Sequence, residues 1–163
     1  MDIQFLGAVG TVTGSKFVVT SENRKTRIMV DCGLFQGLKE LRLQNWKPLP
    51  IDIESIDAIV LTHAHIDHSG FIPALVRDGF KGPIYCTAPT KDLCGILLPD
   101  CGRINEEDAS YANKKGFSKH KPALPIYNER DAQISLRQFK PVNLDREFEI
   151  GEFKIRMTCA GHI

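Results

Sequence analysis

Three histidines and one aspartate fall within six positions of the stretch Leu61-Thr-His-Ala-His-Ile-Asp-His-Ser-Gly70. Neutral imidazoles with a carboxylate make a ligand set for zinc or a similar first-row divalent ion. Four such residues this close can serve two ions side by side. The bland alternative is a titrating surface loop, or histidines that cap backbone groups. The preceding run, Ile56-Asp-Ala-Ile-Val-Leu61, favours the metal reading. It is apolar and partly β-branched, and Gly and polar residues follow it, so it reads as a short buried strand. In an extended chain His63 and His65 share a face, whereas on a helix they would diverge by roughly 200°. The motif therefore sits at a strand end, where the chain turns and carries Asp67 and His68 round beside the first pair.

The elements around the motif must hold it. Residues 2–8, 15–20 and 27–30 read as strands joined locally, with Ser21-Glu-Asn-Arg-Lys-Thr26 as a polar turn, which makes an antiparallel meander. Gly7, Gly10 and Gly14 do not form a nucleotide P-loop, because Gly14-Ser15-Lys16 has the Walker order wrong. They suit a tight loop whose backbone comes close to the active site. Asp31 closes the third strand, a position where Asx turns and helix caps are common. A helix over 37–46 is stopped by Pro48 and Pro50, with Trp46 covering a core edge or, as the alternative, lining a cleft. A helix over 69–80 and a strand over 82–86 complete a strand–helix–strand alternation, the α/β signal. Further helices are expected over 89–98, with Pro99 marking a break or a kink, over 105–113, and over 128–139 with Asn128 as N-cap. A hairpin over 148–157 then delivers Cys159-Ala-Gly-His162.

The net charge of +1 gives no global argument for a polyanionic partner, so a nucleic-acid surface would have to be local. One basic patch offers it: Lys114, Lys115, Lys119 and Lys121, interleaved with Phe117 and His120. Basic and aromatic residues together can hold single-stranded nucleic acid, and a solvated loop balanced by the preceding acidic run is the equal alternative. The five cysteines are odd in number and lack a CxxC pair, which fits reduced, buried thiols. No apolar stretch approaches the roughly 20 residues of a membrane span, and the N-terminus has no signal-peptide pattern. The expectation is a cytoplasmic protein.

HxHxDH resembles the signature of the metallo-β-lactamase superfamily. Gly7-Ala-Val-Gly-Thr-Val-Thr-Gly-Ser-Lys-Phe17, Val30-Asp-Cys-Gly-Leu-Phe-Gln-Gly37 and Ala160-Gly-His-Ile163 resemble its β-CASP branch of RNA-processing nucleases, and the resemblance runs through essentially the whole chain. It implies an α/β fold, an αββα sandwich present only as its N-terminal part, with a mixed, largely antiparallel sheet. The β-CASP and C-terminal parts would lie outside these 163 residues. It further implies that Asp31 buttresses a metal-binding histidine, that His63, His65 and His162 hold one ion, and that Asp67 and His68 hold a second. His162 alone would read as a frayed terminus; its meaning comes from matching the family's third motif. Zinc is the expected metal, with manganese as the alternative. Two such ions would share a hydroxide that attacks an RNA phosphodiester, with Asp67 orienting it as a base. The family's bridging aspartate would lie beyond Ile163. This chain by itself is therefore expected to bind the first ion weakly and the second hardly at all, without cutting RNA. Expected partners are RNA and either a second copy or the missing C-terminal half. Two competing readings stand beside the nuclease: a thioester or lactam hydrolase, and a non-catalytic RNA-binding half-domain. The Gly-rich opening loop and the long segment between the second and third motifs favour the nuclease.

Overall fold

The computed structural model describes residues 1–118 and 120–162. The chain opens on β1 (Asp2–Phe5), β2 (Lys16–Thr20) and β3 (Arg27–Cys32), paired antiparallel as a meander. Ser21 closes the turn between β2 and β3. Its amide donates to the Thr26 carbonyl at 2.9 Å, and its hydroxyl accepts from the Thr26 amide at 3.0 Å. β4 (Ala58–Val60), β5 (Ile84–Thr87) and β6 (Phe139–Val142) then add in parallel, each beside the strand before it.

The six-stranded sheet is thus mixed, and its parallel share is larger than the sequence led us to expect. The difference comes from 128–139, read as one helix. That segment is α5 (Glu129–Ser135), a 3-10 turn (Leu136–Gln138), and then the start of β6. Asn128 caps α5 as expected: its Oδ1 accepts from the Asp131 amide at 2.8 Å, and the Asp131 carboxylate accepts from the Asn128 amide at 3.0 Å. Pro141 lies in β6 at the sheet edge, where a missing N–H is tolerated.

Among the described residues, five helices accompany the strands: α1 (Lys39–Arg42), which continues as a 3-10 turn to Trp46, then α2 (Ile66–Ser69), α3 (Ile72–Arg77), α4 (Ala88–Lys115) and α5. α4 is continuous through Pro99, so of the two expected outcomes the break does not occur. Proline removes one helical hydrogen bond, but Cys94 and Leu98 on the flanking turns are fully buried in the core, so tertiary packing overrides the breaker. Gly116, at φ 67°, closes α4 in the left-handed conformation that L side chains adopt at a cost.

The sheet is covered on both faces, as its parallel strands require. Side chains alternate along β3 and β4. Met29 and Ile59 face a core shared with Ile72 and Leu75 of α3, Leu98 of α4 and Ala132 of α5. Ile28, Ala58 and Val60 face a second cluster with Phe148, Ile150, Phe153 and Ile155. Those last residues belong to the hairpin β7 (Glu147–Ile150) and β8 (Phe153–Arg156), which matches expectation. Each fully buried Leu or Ile side chain contributes about 1.5–3 kcal/mol, so the helices are fixed against the sheet and the loops at its strand ends inherit that rigidity. Trp46 departs from expectation. It is 52% exposed, because its indole N–H is drawn outward to the Leu124 carbonyl at 3.1 Å.

Candidate metal centre

Parallel pairing aligns the C-terminal ends of β3 and β4, with Val30 opposite Val60. The residues just beyond, Asp31 and Thr62, therefore meet. Asp31 is buried, and its Oδ1 accepts from the Thr62 amide at 2.8 Å and the Thr62 hydroxyl at 2.9 Å. Its other oxygen, Oδ2, accepts from Nδ1 of His68 at 2.8 Å. Asp31 lies within β3 at φ 58°, so it is part of the strand and not the start of a loop.

Thr62 completes a relay. Its hydroxyl proton goes to Asp31, and its oxygen accepts from Nδ1 of His63 at 2.9 Å. Both histidines are thereby held as the tautomer that carries the proton on Nδ1, and Nε2 keeps its lone pair. Nε2 of His63 lies 3.0 Å from Nδ1 of His65, and Nε2 of His162 lies 3.3 Å from that same Nδ1. All three ligand atoms fall within 4.8 Å of one another. Tetrahedral ligands about 2.0–2.1 Å from zinc would stand about 3.3–3.4 Å apart. The donor set and its spacing fit a divalent ion, and without one the same imidazoles pair by hydrogen bonds through the ring tautomers. His162 reaches this point from the far side because the hairpin returns the chain to the mouth of the sheet.

Asp67 and His68 form a second, adjacent pair, with His68 Nε2 3.6 Å from Asp67 Oδ2 and the His63 and His68 rings 4.1 Å apart. The helix carrying them starts earlier than the sequence indicated. α2 begins at Ile66, so Asp67 and His68 occupy its first turn. The turn is clamped by backbone bonds: Ser15 N–H donates to the Asp67 carbonyl, Leu34 N–H to the Ile66 carbonyl and Gly33 N–H to the Ser15 carbonyl, each at 2.9 Å. The Gly-rich opening loop thus ends against the site, as expected. Gly33 is indispensable here, since a Cβ would come within 1.6 Å of the Asp67 carbonyl oxygen.

Electrostatics separate the histidines. The hydrogen bond His68 donates to Asp31 raises the pKa of His68 despite its partial burial, and the charges of Asp31 and Asp67 raise it further. Burial lowers the pKa of His63, and the neighbouring His68 and His65 lower it again. A neutral, metal-ready His63 at neutral pH follows.

The family model of the metallo-beta-lactamase superfamily matches residues 10–97. The chain belongs to that superfamily. Among curated proteins, it is 32% identical over its whole length to ribonuclease TTHA0252 of Thermus thermophilus, covering 33% of that protein. It is 33% identical to transcription termination factor FttA of Methanocaldococcus jannaschii, with 99% of this chain and 23% of that protein covered. The Integrator complex subunit 11 homolog of Dictyostelium discoideum is 33% identical, with 97% of this chain and 20% of that protein covered. The chain therefore spans about a third or less of these relatives. Among solved structures, the metallo-beta-lactamase SMB-1 superposes with a TM-score of 0.50 at 16% identity, covering 92% of this chain and 47% of that one. That likeness concerns the fold alone, and it agrees with the α/β architecture.

As a metallo-β-lactamase superfamily member, the chain brings together every motif residue predicted to meet: Asp31, His63, His65, Asp67, His68 and His162. Thr62 and Ser69 were not singled out from sequence. Ser69 is fully buried and donates to the Ala64 carbonyl at 2.8 Å, which fixes the backbone between His63 and His65. Both flank the motif, and a small hydroxyl beside a ligand is the signal that could have found them. Lys16 was also passed over. It is buried, its ammonium donates to the Gly33 carbonyl, and it lies 4.6 Å and 4.9 Å from the Phe35 and Phe71 ring centroids. Of the basic patch, Lys114 and Lys115 form the last turn of α4 and Lys121 lies in an exposed segment, while Lys119 falls outside the described residues.

Proposed function

We propose that this chain is the metal-binding N-terminal part of a β-CASP-type, metal-dependent ribonuclease. The observation that carries the reading is the convergence of His63 Nε2, His65 Nδ1 and His162 Nε2, beside a separate Asp67–His68 pair backed by Asp31. The names of the relatives support RNA as the substrate. His63, His65 and His162 would hold one ion, and Asp67 with His68 the other. An all-imidazole set suits zinc, whereas manganese prefers carboxylate and water. When bound, such ions supply Lewis acidity and an activated water at neutral pH.

This chain's own residues supply the rest. Asp31 and Thr62 orient His68 and His63 by taking their Nδ1 protons. Asp67 places a carboxylate at the same spot, as a ligand and as an acceptor for the proton of the attacking water. Lys114, Lys115, Lys119 and Lys121 offer cations to the phosphate backbone. The exposed edge strand β1, with Ile3 and Phe5 open, is where a further segment or a second copy would pair. A cytoplasmic location belongs to the same reading, since five free cysteines suit a reducing compartment.

The test is cleavage of single-stranded RNA by the zinc-loaded longer protein and by this chain. The longer protein should cut, and His65→Ala and Asp67→Ala should each lower the rate at least about 100-fold. The 163-residue chain should bind metal without turnover. RNA cleavage that survives chelation or the His65→Ala change would contradict the reading.

A further inference from the structure

The segment after α4 is closed and tied down by side chains that the metal site does not use. Asn113, in the last turn of α4, accepts from the Ala123 amide at 2.7 Å and donates to the Ala123 carbonyl at 3.0 Å. The two ends of the basic segment are therefore held together. One residue further on, the Leu124 carbonyl accepts from Trp46 Nε1 at 3.1 Å. The neighbouring Asn45 is buried and grips Phe35 twice, accepting from its amide at 2.9 Å and donating to its carbonyl at 2.8 Å. Phe35 lies four residues beyond Asp31 in the sequence. A run of short polar contacts thus links the basic segment to the strand end that carries the metal-site buttress.

Exposed aromatic rings line this strap. Trp46 is 52% exposed, Tyr111 57% and Phe117 66%. The Tyr111 and Phe117 rings pack edge-on at 6.0 Å, and Lys115 Nζ lies 5.8 Å from the Tyr111 centroid. The polar end of Trp46 is already satisfied by protein, so its open surface is the apolar ring. Open rings, one of them beside Lys115, on a segment that also carries Lys114 and Lys121 match a partner with flat apolar faces and regular negative charge.

We propose that this strap is a binding track for single-stranded RNA. Trp46 and Phe117 stack on bases, Lys114, Lys115 and Lys121 pair with phosphates, and the Trp46 tie keeps the track in register with the metal centre. The proposal rests on the reading of RNA as substrate. It adds a contact surface that needs no metal.

Trp46 is the only tryptophan, so its fluorescence reports directly on the track. The experiment titrates this chain, in chelator, with a single-stranded oligoribonucleotide and with the duplex of the same sequence. Single strands should quench Trp46 saturably and bind at least about ten-fold tighter than duplex. Phe117→Ala should weaken binding about ten-fold. Lys114→Ala with Lys115→Ala, an exposed pair that spares the fold, should lower the salt slope of binding by about 1.5. Circular dichroism establishes that each variant is folded. RNA binding without Trp46 quenching would overturn the proposal, as would duplex binding equal to single strand. Equally effective displacement of RNA by polyglutamate would also overturn it, marking an acidic protein as the partner. Because no metal is present, failure here leaves the metal-site reading standing. Intact RNA binding here, with no metal-dependent cleavage by the longer protein, would instead sink the nuclease reading alone.

Discussion

Asp31→Asn separates the buttress from the fold. Asparagine keeps the volume, tolerates the φ of 58°, and retains an oxygen for the Thr62 amide. What changes is the group facing His68. An amide NH2 there donates to Nδ1 instead of accepting from it, which drives the His68 proton onto Nε2 and occupies the lone pair a metal would use. The lost charge-assisted bond, 2.8 Å in the structure, is worth about 1.5–3 kcal/mol. Loss of such an orienting partner weakens metal binding by about 10–100-fold. Competition titration of the longer protein, which would hold both ions, with a chromogenic chelator should show that loss at the Asp67–His68 position. The ion at His63, His65 and His162 should change by no more than about three-fold, and the melting temperature by only a few degrees. Equal weakening at both ions, or none at either, would refute the assignment of Asp31 to His68.

The same variant has a metal-free signature. In the wild type, His68 should titrate above its ordinary pKa of 6.5 and His63 below it by NMR, and Asp31→Asn should remove the His68 elevation. Because the folded-state pKa of His68 is raised, its contribution to stability is fully present below pH 6.5 and is lost as pH rises through the folded value. His63 acts in the opposite sense, its lowered pKa favouring the folded state as pH rises toward 6.5. Gly33→Ala should destabilise the chain by at least about 2–3 kcal/mol in chemical denaturation, because the new methyl meets the Asp67 carbonyl and neither backbone can yield. Thiol reagents should modify exposed Cys159 first. Cys32, whose pKa burial pushes up to about 12, and the buried Cys86 and Cys94 should react only after unfolding.

The grouping of the candidate ligands was legible because most of them are local. His63, His65, Asp67 and His68 lie on one short stretch between the end of β4 and the end of α2, and an extended-chain period placed the first pair together without tertiary information. His162 and Asp31 were legible only through their motifs, since nothing in a penultimate histidine or a strand-end aspartate states its partner. The structure supplies the reason they meet: parallel pairing of β3 with β4 brings Asp31 to Thr62, and the hairpin over the second sheet face returns His162. Pro99 misled because local propensity yields to the burial of Cys94 and Leu98. β6 was missed because Phe139-Lys-Pro-Val142 is short, lies at the edge, and directly follows a helical pattern. Lys16 was passed over and Trp46 misplaced for a common reason. Their side-chain nitrogens are committed to backbone carbonyls, of Gly33 and Leu124, which sequence patterning does not reveal.

X-ray absorption of this chain loaded with one equivalent of zinc tests the metal centre most directly. A shell of imidazole nitrogens at about 2.0–2.1 Å is predicted, reduced in His65→Ala and in His162→Ala. Sulfur scattering at about 2.3 Å, or a shell unchanged by either substitution, would contradict the assignment.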